Sequence, residues 1–138
     1  MALPALRADG TLPPGLHQIT TLAELFASFP ATTPQRQTLD AELLRFVDVA
    51  RRFGLGAQVA LDGSYTTSKP TPNDIDLALL SPGLDVQAVE QRLLMEGFDL
   101  ITMFDLWIET DQAPYEGWVR FFSTDRNGDP RGVVLFTI

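Results

Sequence analysis

Cysteine is absent from the chain, and its absence excludes several kinds of site. Disulfides and thiolate metal ligands are ruled out, and redox chemistry on sulfur is limited to the three methionines. Histidine is nearly absent too, because His17 is the only one. It lies in a proline-rich opening segment, where a lone histidine is usually a surface or packing residue, so we assign it no functional role.

A long apolar run is also missing from the start of the chain. The first 16 residues include three prolines, one arginine and one aspartate. They have neither the apolar stretch of a signal peptide nor the length of a membrane span. We therefore expect a cytoplasmic protein that does not bind membranes.

Basic residues are scarce, since 10 lysines and arginines face 18 aspartates and glutamates and give a formal net charge of -8. Neutralisation of phosphates by Lys and Arg supplies most of the non-specific affinity for nucleic acids. We therefore expect no strong non-specific binding of nucleic acid, although local arginines can still contact RNA. The negative charge favours a basic protein partner.

The residues that are present have the composition of a soluble globular domain, with 45% hydrophobic and 20% charged among 138 residues. That length suits one domain with its own core. No internal repeat, low-complexity tract or linker interrupts it. We predict an irregular N-terminal arm over residues 1–19 and a single α/β (α+β) domain over residues 20–138.

Two helices are predicted before the first strand. Thr21 and Glu24 have the spacing of a capping box, which opens a short helix ending near Phe29. A second helix has Thr38 as its predicted N-cap, and its apolar face continues to Phe53.

Two further helices are predicted in the second half of the chain. Asp85 caps the first of these, and its expected inner face is formed by Val86, Val89, Leu93 and Leu94. Pro114 fits the first position of the second, although a strand is nearly as plausible for so short a segment.

Short apolar segments predict a sheet covered by these helices. The expected strands are Gln58–Leu61, Ile75–Leu80, one or two within Phe98–Glu109, and Val133–Ile138. Asn127-Gly128 predicts the turn before the last strand.

The chemically informative stretch is Leu61-Asp62-Gly63-Ser64, followed after nine residues by Asp74-Ile75-Asp76-Leu77. Alternate residues of a strand point to the same face, so Asp74 and Asp76 present two carboxylates side by side. Two adjacent carboxylates repel each other unless a cation lies between them. Mg²⁺ or Mn²⁺ suits such oxygen ligands, so the pair predicts a metal site.

Gly63-Ser64 complements the two aspartates. Glycine lets the backbone approach a phosphate closely, and the serine hydroxyl and nearby amides can donate hydrogen bonds to its oxygens. Metal and phosphate sites together indicate phosphoryl transfer, in which a hydroxyl attacks the α-phosphorus of a nucleoside triphosphate and pyrophosphate leaves. Lys69 and Arg126 are the candidates for neutralising the leaving group, and Arg131 flanks the same turn as Arg126.

The run GSYTTSKPTPNDIDL and the ending FFSTDRNGDPRG resemble the polymerase-β superfamily of nucleotidyltransferases. The closest resemblance is to its minimal, single-domain prokaryotic group with a GSF-x-T-x-K-PxDID motif. The resemblance implies a mixed β-sheet flanked by helices, with Ser64 on the triphosphate and Asp74 and Asp76 on the metal. It also implies a third carboxylate from a later strand, for which Asp105 is the first candidate and Asp99 the second.

Two features depart from the family pattern. Asp62 occupies a position that is usually hydrophobic, and we expect no additional domain within these 138 residues to hold a base or an acceptor. Specificity must then come from the arm, the C-terminal aromatic segment, a partner protein or oligomerisation. Four aromatic residues are candidates for stacking a base, although core packing is favoured for them: Trp107, Trp118, Phe121 and Phe122.

The leading hypothesis is a metal-dependent nucleotidyltransferase that transfers a nucleoside monophosphate to a hydroxyl of a protein or an RNA, tRNA included. The resemblance also suggests a toxin-antitoxin or phage-defence setting. The alternative is an inactive protein of the same fold that acts as an antitoxin-like or regulatory subunit. A third carboxylate near Asp74 and Asp76 separates the two. A nuclease is weaker, because it leaves Gly63-Ser64 without a purpose.

Overall fold

Helices and strands are interspersed along the chain in a computed structural model, which describes residues 3–138. The strands are β1 (Gly15–Ile19), β2 (Gln58–Asp62), β3 (Ile75–Leu80), β4 (Phe104–Glu109) and β5 (Gly132–Thr137). The helices are α1 (Leu22–Ser28), α2 (Pro34–Arg52), α3 (Val86–Met95) and α4 (Gln112–Phe122), and a 3₁₀ turn at Ser64–Thr66 follows β2. The strands form one mixed sheet in the order β1-β5-β2-β3-β4, which confirms the predicted α/β fold in a single domain.

The strand directions bring several strand ends together. β2 is antiparallel to β3, with Asp62 opposite Asp76. β3 is parallel to β4, with Asp76 opposite Asp105. β5 is antiparallel to β2, so its first residues lie beside the last residues of β2. The end of β2 and the starts of β3, β4 and β5 therefore meet at the same end of the sheet.

Both faces of the central strands are buried, because helices cover each of them. Alternate residues point to opposite faces, so Leu61 and Leu77 belong to the core beneath α1, α2 and α3, whereas Ala60 and Ala78 belong to the core beneath α4. Ala60 and Ala78 are also opposite each other in register. Their small side chains leave room for Tyr115 of α4, which is buried against them.

The N-terminal segment is more ordered than its sequence predicts. The prediction of an irregular arm over residues 1–19 is wrong for Gly15–Ile19, which form β1 and pair in parallel with β5. Residues 1 and 2 of that arm lie outside the described residues. Only Ile19 is buried within β1, so the strand lacks the apolar alternation that marks a half-buried strand.

The prediction of Thr38 as the N-cap of helix α2 is wrong, because the helix begins five residues earlier. Its N-cap is Thr33, whose hydroxyl accepts a hydrogen bond from the Arg36 amide at 3.2 Å, and Pro34 occupies the first turn. Thr38 lies inside the helix. None of the helices in the described chain has the length and apolar character that crossing a membrane requires.

The start of α1 also differs from the predicted capping box. Thr21 is the N-cap residue, but within the described chain its side chain makes no capping hydrogen bond. The Glu24 carboxylate accepts a hydrogen bond from the Thr20 amide at 2.9 Å instead. Of the backbone amides of Thr20 and the predicted N-cap Thr21, that of Thr20 has the larger effect on Glu24.

Two predictions about α3 and α4 need partial correction. Asp85 caps α3 as predicted, but only Val89 and Leu93 of the expected inner face are buried. Val86 and Leu94 are exposed, so the apolar face of α3 is narrower than predicted. The segment around Pro114 is a helix rather than a strand, and it begins two residues before the proline.

Candidate active site

Three aspartates meet at the end of the sheet where the strand ends converge. Asp76 lies on β3, Asp74 immediately before that strand, and Asp105 on β4. One carboxylate oxygen from each lies within 4.8 Å of the others. The parallel register of β3 and β4 produces this arrangement because it sets Asp105 directly beside Asp76.

The electrostatics of the cluster favour a bound cation. Burial raises the pKa of Asp76 to about 7, with further contributions from the negative charges of Asp74, Asp105 and Asp62. Burial also raises the pKa of Asp74, again with a contribution from Asp105, and Lys69 opposes that rise. Because the repulsion is mutual, a cation among the three oxygens would relieve it for each carboxylate.

Asp99, the second candidate for the third carboxylate, is placed elsewhere. Its carboxylate accepts hydrogen bonds from the backbone amides of Ile101 at 3.0 Å and Thr102 at 2.8 Å, and from the Thr102 hydroxyl. These bonds, led by the Thr102 hydroxyl, lower the pKa of Asp99. Asp99 therefore closes a local turn, and Asp105 is the residue that completes the cluster.

Gly63 is required by two features of its surroundings. Its φ is +79°, a conformation that side-chain-bearing residues rarely adopt. In addition, a Cβ at this position would overlap the Asp76 carboxylate oxygen Oδ2. The glycine of the Gly-Ser pair thus sets the position of the central aspartate as well as opening the backbone.

The loop between Ser64 and Asp74 is held by a buried arginine. Arg36 is only 2% exposed, and its guanidinium donates to the backbone carbonyls of Tyr65 at 3.1 Å, Thr67 at 2.5 Å and Lys69 at 3.0 Å. It also lies 5.6 Å from the centre of the Tyr65 ring. No sequence pattern predicts this role, because bonds to backbone carbonyls leave no residue-type signature on the loop.

Other residues near the start of α2 fix the second half of the same loop. The Thr33 hydroxyl donates to the Pro70 carbonyl at 2.6 Å, and the Gln35 amide donates to the carbonyls of Pro72 at 3.0 Å and Asn73 at 3.2 Å. The loop thus reaches Asp74 along a defined path. Lys69 is exposed on this loop, and its positive charge opposes the rise that burial causes in the pKa of Asp74.

A cleft of about 600 Å³ adjoins the acidic cluster. One wall is formed by Asp62, Gly63, Ser64 and Asp76. The other wall comes from the C-terminal part of α4 and the segment after it, through Phe121, Thr124, Asp125, Arg126 and Arg131. Of the two predicted phosphate-binding cations, Arg126 therefore lines the cleft, whereas Lys69 lies on the Asp74 side of the cluster.

Arg131 connects the two walls. Its Nη2 lies 3.5 Å from Asp62 Oδ1 and donates to the Gly63 carbonyl at 3.4 Å. Asp62 is 7% exposed, and burial raises its pKa while Arg131 opposes the rise. Within the described chain, Asp62 Oδ1 accepts no hydrogen bond, so Arg131 stabilises it by charge alone. The sequence signals for Arg131 are its place beside Arg126 at the turn and its position in the FFSTDRNGDPRG ending.

Comparison with known proteins gives one result for this chain. No curated protein and no solved structure matches it. A family model described as "Family of unknown function (DUF6932)" matches residues 4–137, which include both walls of the cleft and all three clustered aspartates. The chain therefore belongs to the DUF6932 family.

Proposed function

We propose that the protein is a metal-dependent nucleotidyltransferase with a polymerase-β-like fold, which transfers a nucleoside monophosphate from a nucleoside triphosphate to a hydroxyl. The observation that carries this proposal is the cluster of three carboxylates beside a cleft that Asp76 of the cluster lines together with Gly63-Ser64. Either feature alone is common in proteins. Together they supply a place for a cation beside a place for phosphate oxygens.

The donor set fits a hard divalent cation such as Mg²⁺ or Mn²⁺. Asp74, Asp76 and Asp105 offer only oxygen atoms, and their mutual repulsion is the condition that a bound cation relieves. Such a cation would neutralise negative charge on the triphosphate and make the acceptor hydroxyl easier to deprotonate.

Substrate binding, stabilisation of the leaving group and proton transfer would depend on side chains and backbone groups of this chain. Ser64 and its neighbouring amides would bind the triphosphate. The guanidinium groups of Arg126 and Arg131 would stabilise the negative charge of the departing pyrophosphate. The acceptor oxygen forms a bond to the α-phosphorus while the bond from that phosphorus to the bridging oxygen breaks. The hydroxyl proton passes to a carboxylate of the cluster, for which the exposed Asp105 is suited.

A regulatory subunit that keeps the fold without catalysis is the main alternative. That alternative predicts a hydrophobic or distant group in place of the third carboxylate. Asp105 lies within the 4.8 Å cluster, which supports the enzyme. Gly63 and Ser64 line the cleft, which supports a triphosphate substrate over a nuclease reaction. The net charge of -8 favours a hydroxyl on a basic protein as acceptor over one on RNA, tRNA included.

The test is calorimetric titration of the purified protein with ATP, GTP, CTP and UTP in Mg²⁺ or Mn²⁺. We expect metal-dependent binding of at least one triphosphate by the wild type and none by an Asp74→Asn/Asp76→Asn variant. Asp111→Asn is the matched control, because Asp111 is exposed and lies outside the cleft. A folded wild type that binds no triphosphate with either metal would overturn the proposal.

A further inference from the structure

Phe121 is an unusual residue for the place it occupies. It is 66% exposed, although it lies in the last turn of α4 next to the buried Phe122. Its ring lines the same cleft as Gly63, Ser64 and Asp76, but on the opposite wall. A large aromatic ring left in solvent beside a polar site is a candidate for ligand contact rather than for core packing.

The ring is held in position from behind. It meets Trp118 edge to face, with ring centroids 5.7 Å apart and an interplanar angle of 87°, and lies 6.3 Å from the Phe122 ring. Trp118 is itself fixed, since its indole N–H donates to the Glu109 carboxylate at 2.7 Å and its ring lies 4.5 Å from that of Trp107. Phe121 is thus a pre-organised surface, which reduces the entropy lost when a ligand stacks on it.

The lining of the cleft offers a ligand two different kinds of contact. Gly63, Ser64 and the Arg131 guanidinium form one end, where phosphate oxygens find hydrogen-bond donors and positive charge. Phe121 supplies the apolar, aromatic surface of the cleft. A ligand that matches both carries phosphates at one end and a planar ring at the other, which is the chemistry of a nucleotide.

We propose that Phe121 stacks the nucleobase of the nucleotide whose phosphates bind at Gly63-Ser64. This inference rests on the proposed function and deepens it, because it makes the base, and not the polyphosphate alone, a determinant of binding. Stacking accepts any base, because every base has a π-face. The cleft therefore prefers a nucleoside triphosphate to inorganic tripolyphosphate more strongly than it prefers one base to another.

The test compares Mg-ATP, Mg-GTP and Mg-tripolyphosphate by calorimetry on the wild type and on Phe121→Ala, Phe121→Tyr and Phe53→Ala. Phe53 is the matched control, because it is a 37% exposed phenylalanine outside the cleft. We expect Phe121→Ala to weaken both nucleotides on the order of tenfold and to leave tripolyphosphate unchanged. Phe121→Tyr, which keeps the ring, should bind as the wild type does, and so should Phe53→Ala.

The outcomes separate this inference from the function on which it rests. If the wild type binds nucleotides with metal and Phe121→Ala binds them equally well, the stacking role is overturned and the nucleotidyltransferase proposal stands. If Phe121→Ala weakens tripolyphosphate as much as nucleotides, the ring acts on the phosphate end and the inference is again overturned. If the wild type binds none of the three ligands, both proposals fail together.

Discussion

The two walls of the cleft are built in opposite ways. The wall that contains Gly63 and Ser64 continues into a loop whose backbone carbonyls are bonded by side chains from α2, chiefly the buried Arg36. The wall formed by residues 123–131 is bonded mainly to itself, since the Asp125 carboxylate accepts from the amides of Asn127 and Asp129 and the Arg131 amide donates to the Ser123 carbonyl.

This difference indicates that the two walls of the cleft have different roles. The first wall is fixed to the core and holds the groups proposed to bind metal and phosphate at set positions. The second wall is a mostly exposed segment whose hydrogen bonds survive small shifts of the whole segment. Under the proposed function, the rigid wall would position one phosphorus atom, whereas the adjustable segment at residues 123–131 would accommodate different nucleotides beside the fixed ring of Phe121.

The largest effect is expected from breaking the attachment of the first wall. Arg36→Met removes the donor to three backbone carbonyls while keeping a long apolar side chain. Because these carbonyls lose a charged partner, the free energy of unfolding should fall by about 3 kcal/mol or more. Urea denaturation measures this loss, and calorimetry on the folded fraction should show weaker triphosphate binding.

Arg52→Met is the control for that substitution. Arg52 is exposed, and its contacts with the Asp48 carboxylate and the Phe53 ring lie at the surface, so its loss should cost under about 1 kcal/mol. If both variants lose the same stability, the view that Arg36 fixes the first wall is wrong.

A pair of glycines compares the two walls directly. Gly63 and Gly128 share a φ of +79°, but a Cβ at Gly128 meets nothing within 4 Å, whereas one at Gly63 overlaps the Asp76 carboxylate. Gly128→Ala should therefore lose about 1 kcal/mol from backbone strain alone. Gly63→Ala should lose about 2–3 kcal/mol and should also lose metal binding, because Asp76 must move.

Chemical denaturation and metal titration of the two glycine variants decide the comparison. Equal losses of stability with metal binding retained in both would show that Gly63 serves only its own backbone conformation. Loss of metal binding by Gly128→Ala as well would show that the second wall is not adjustable.

The last comparison concerns the pH dependence of stability at Asp76. Its pKa is raised from an ordinary value of 3.8 to about 7 in the folded chain. Between these values the folded state holds a proton that the unfolded state has released, so this group's contribution is full below pH 4 and is lost as pH rises through 7. Without metal, Asp76→Asn should therefore gain stability relative to the wild type as pH rises from 4 to 8.

Thermal melting in EDTA across that pH range measures this trend. Mg²⁺ at pH 8 should raise the Tm of the wild type and leave that of Asp76→Asn unchanged. A constant difference in Tm between the two proteins at all pH values would contradict the raised pKa.

Local patterns in the sequence account for much of the fold and for part of the site. The bounds of β3 follow from its apolar run, and alternation along a strand puts Asp74 and Asp76 on one face. The choice of Asp105 over Asp99 needed the register of β3 against β4, which depends on tertiary pairing that neither segment encodes alone. β1 was missed for the same reason, because within residues 3–138 its only strand partner is β5, at the far end of the chain.

Arg36 and Phe121 show a different limit. Nothing in the position of either residue along its helix marks it as unusual. Only the three-dimensional structure reveals that the arginine is buried and the phenylalanine exposed. Their roles reverse the usual preference of each residue type, so composition and periodicity point away from them.

The pairing of Asp76 with Asp105 ties the alignment of the edge strand β4 to the proposed metal site. A slip of one residue in β4 would turn Asp105 to the opposite face of the sheet and disperse the three carboxylates. A cation that binds all three oxygens would add its binding free energy only to the correctly aligned sheet. The ion proposed for the reaction would then also select the native alignment of the strand that completes its site.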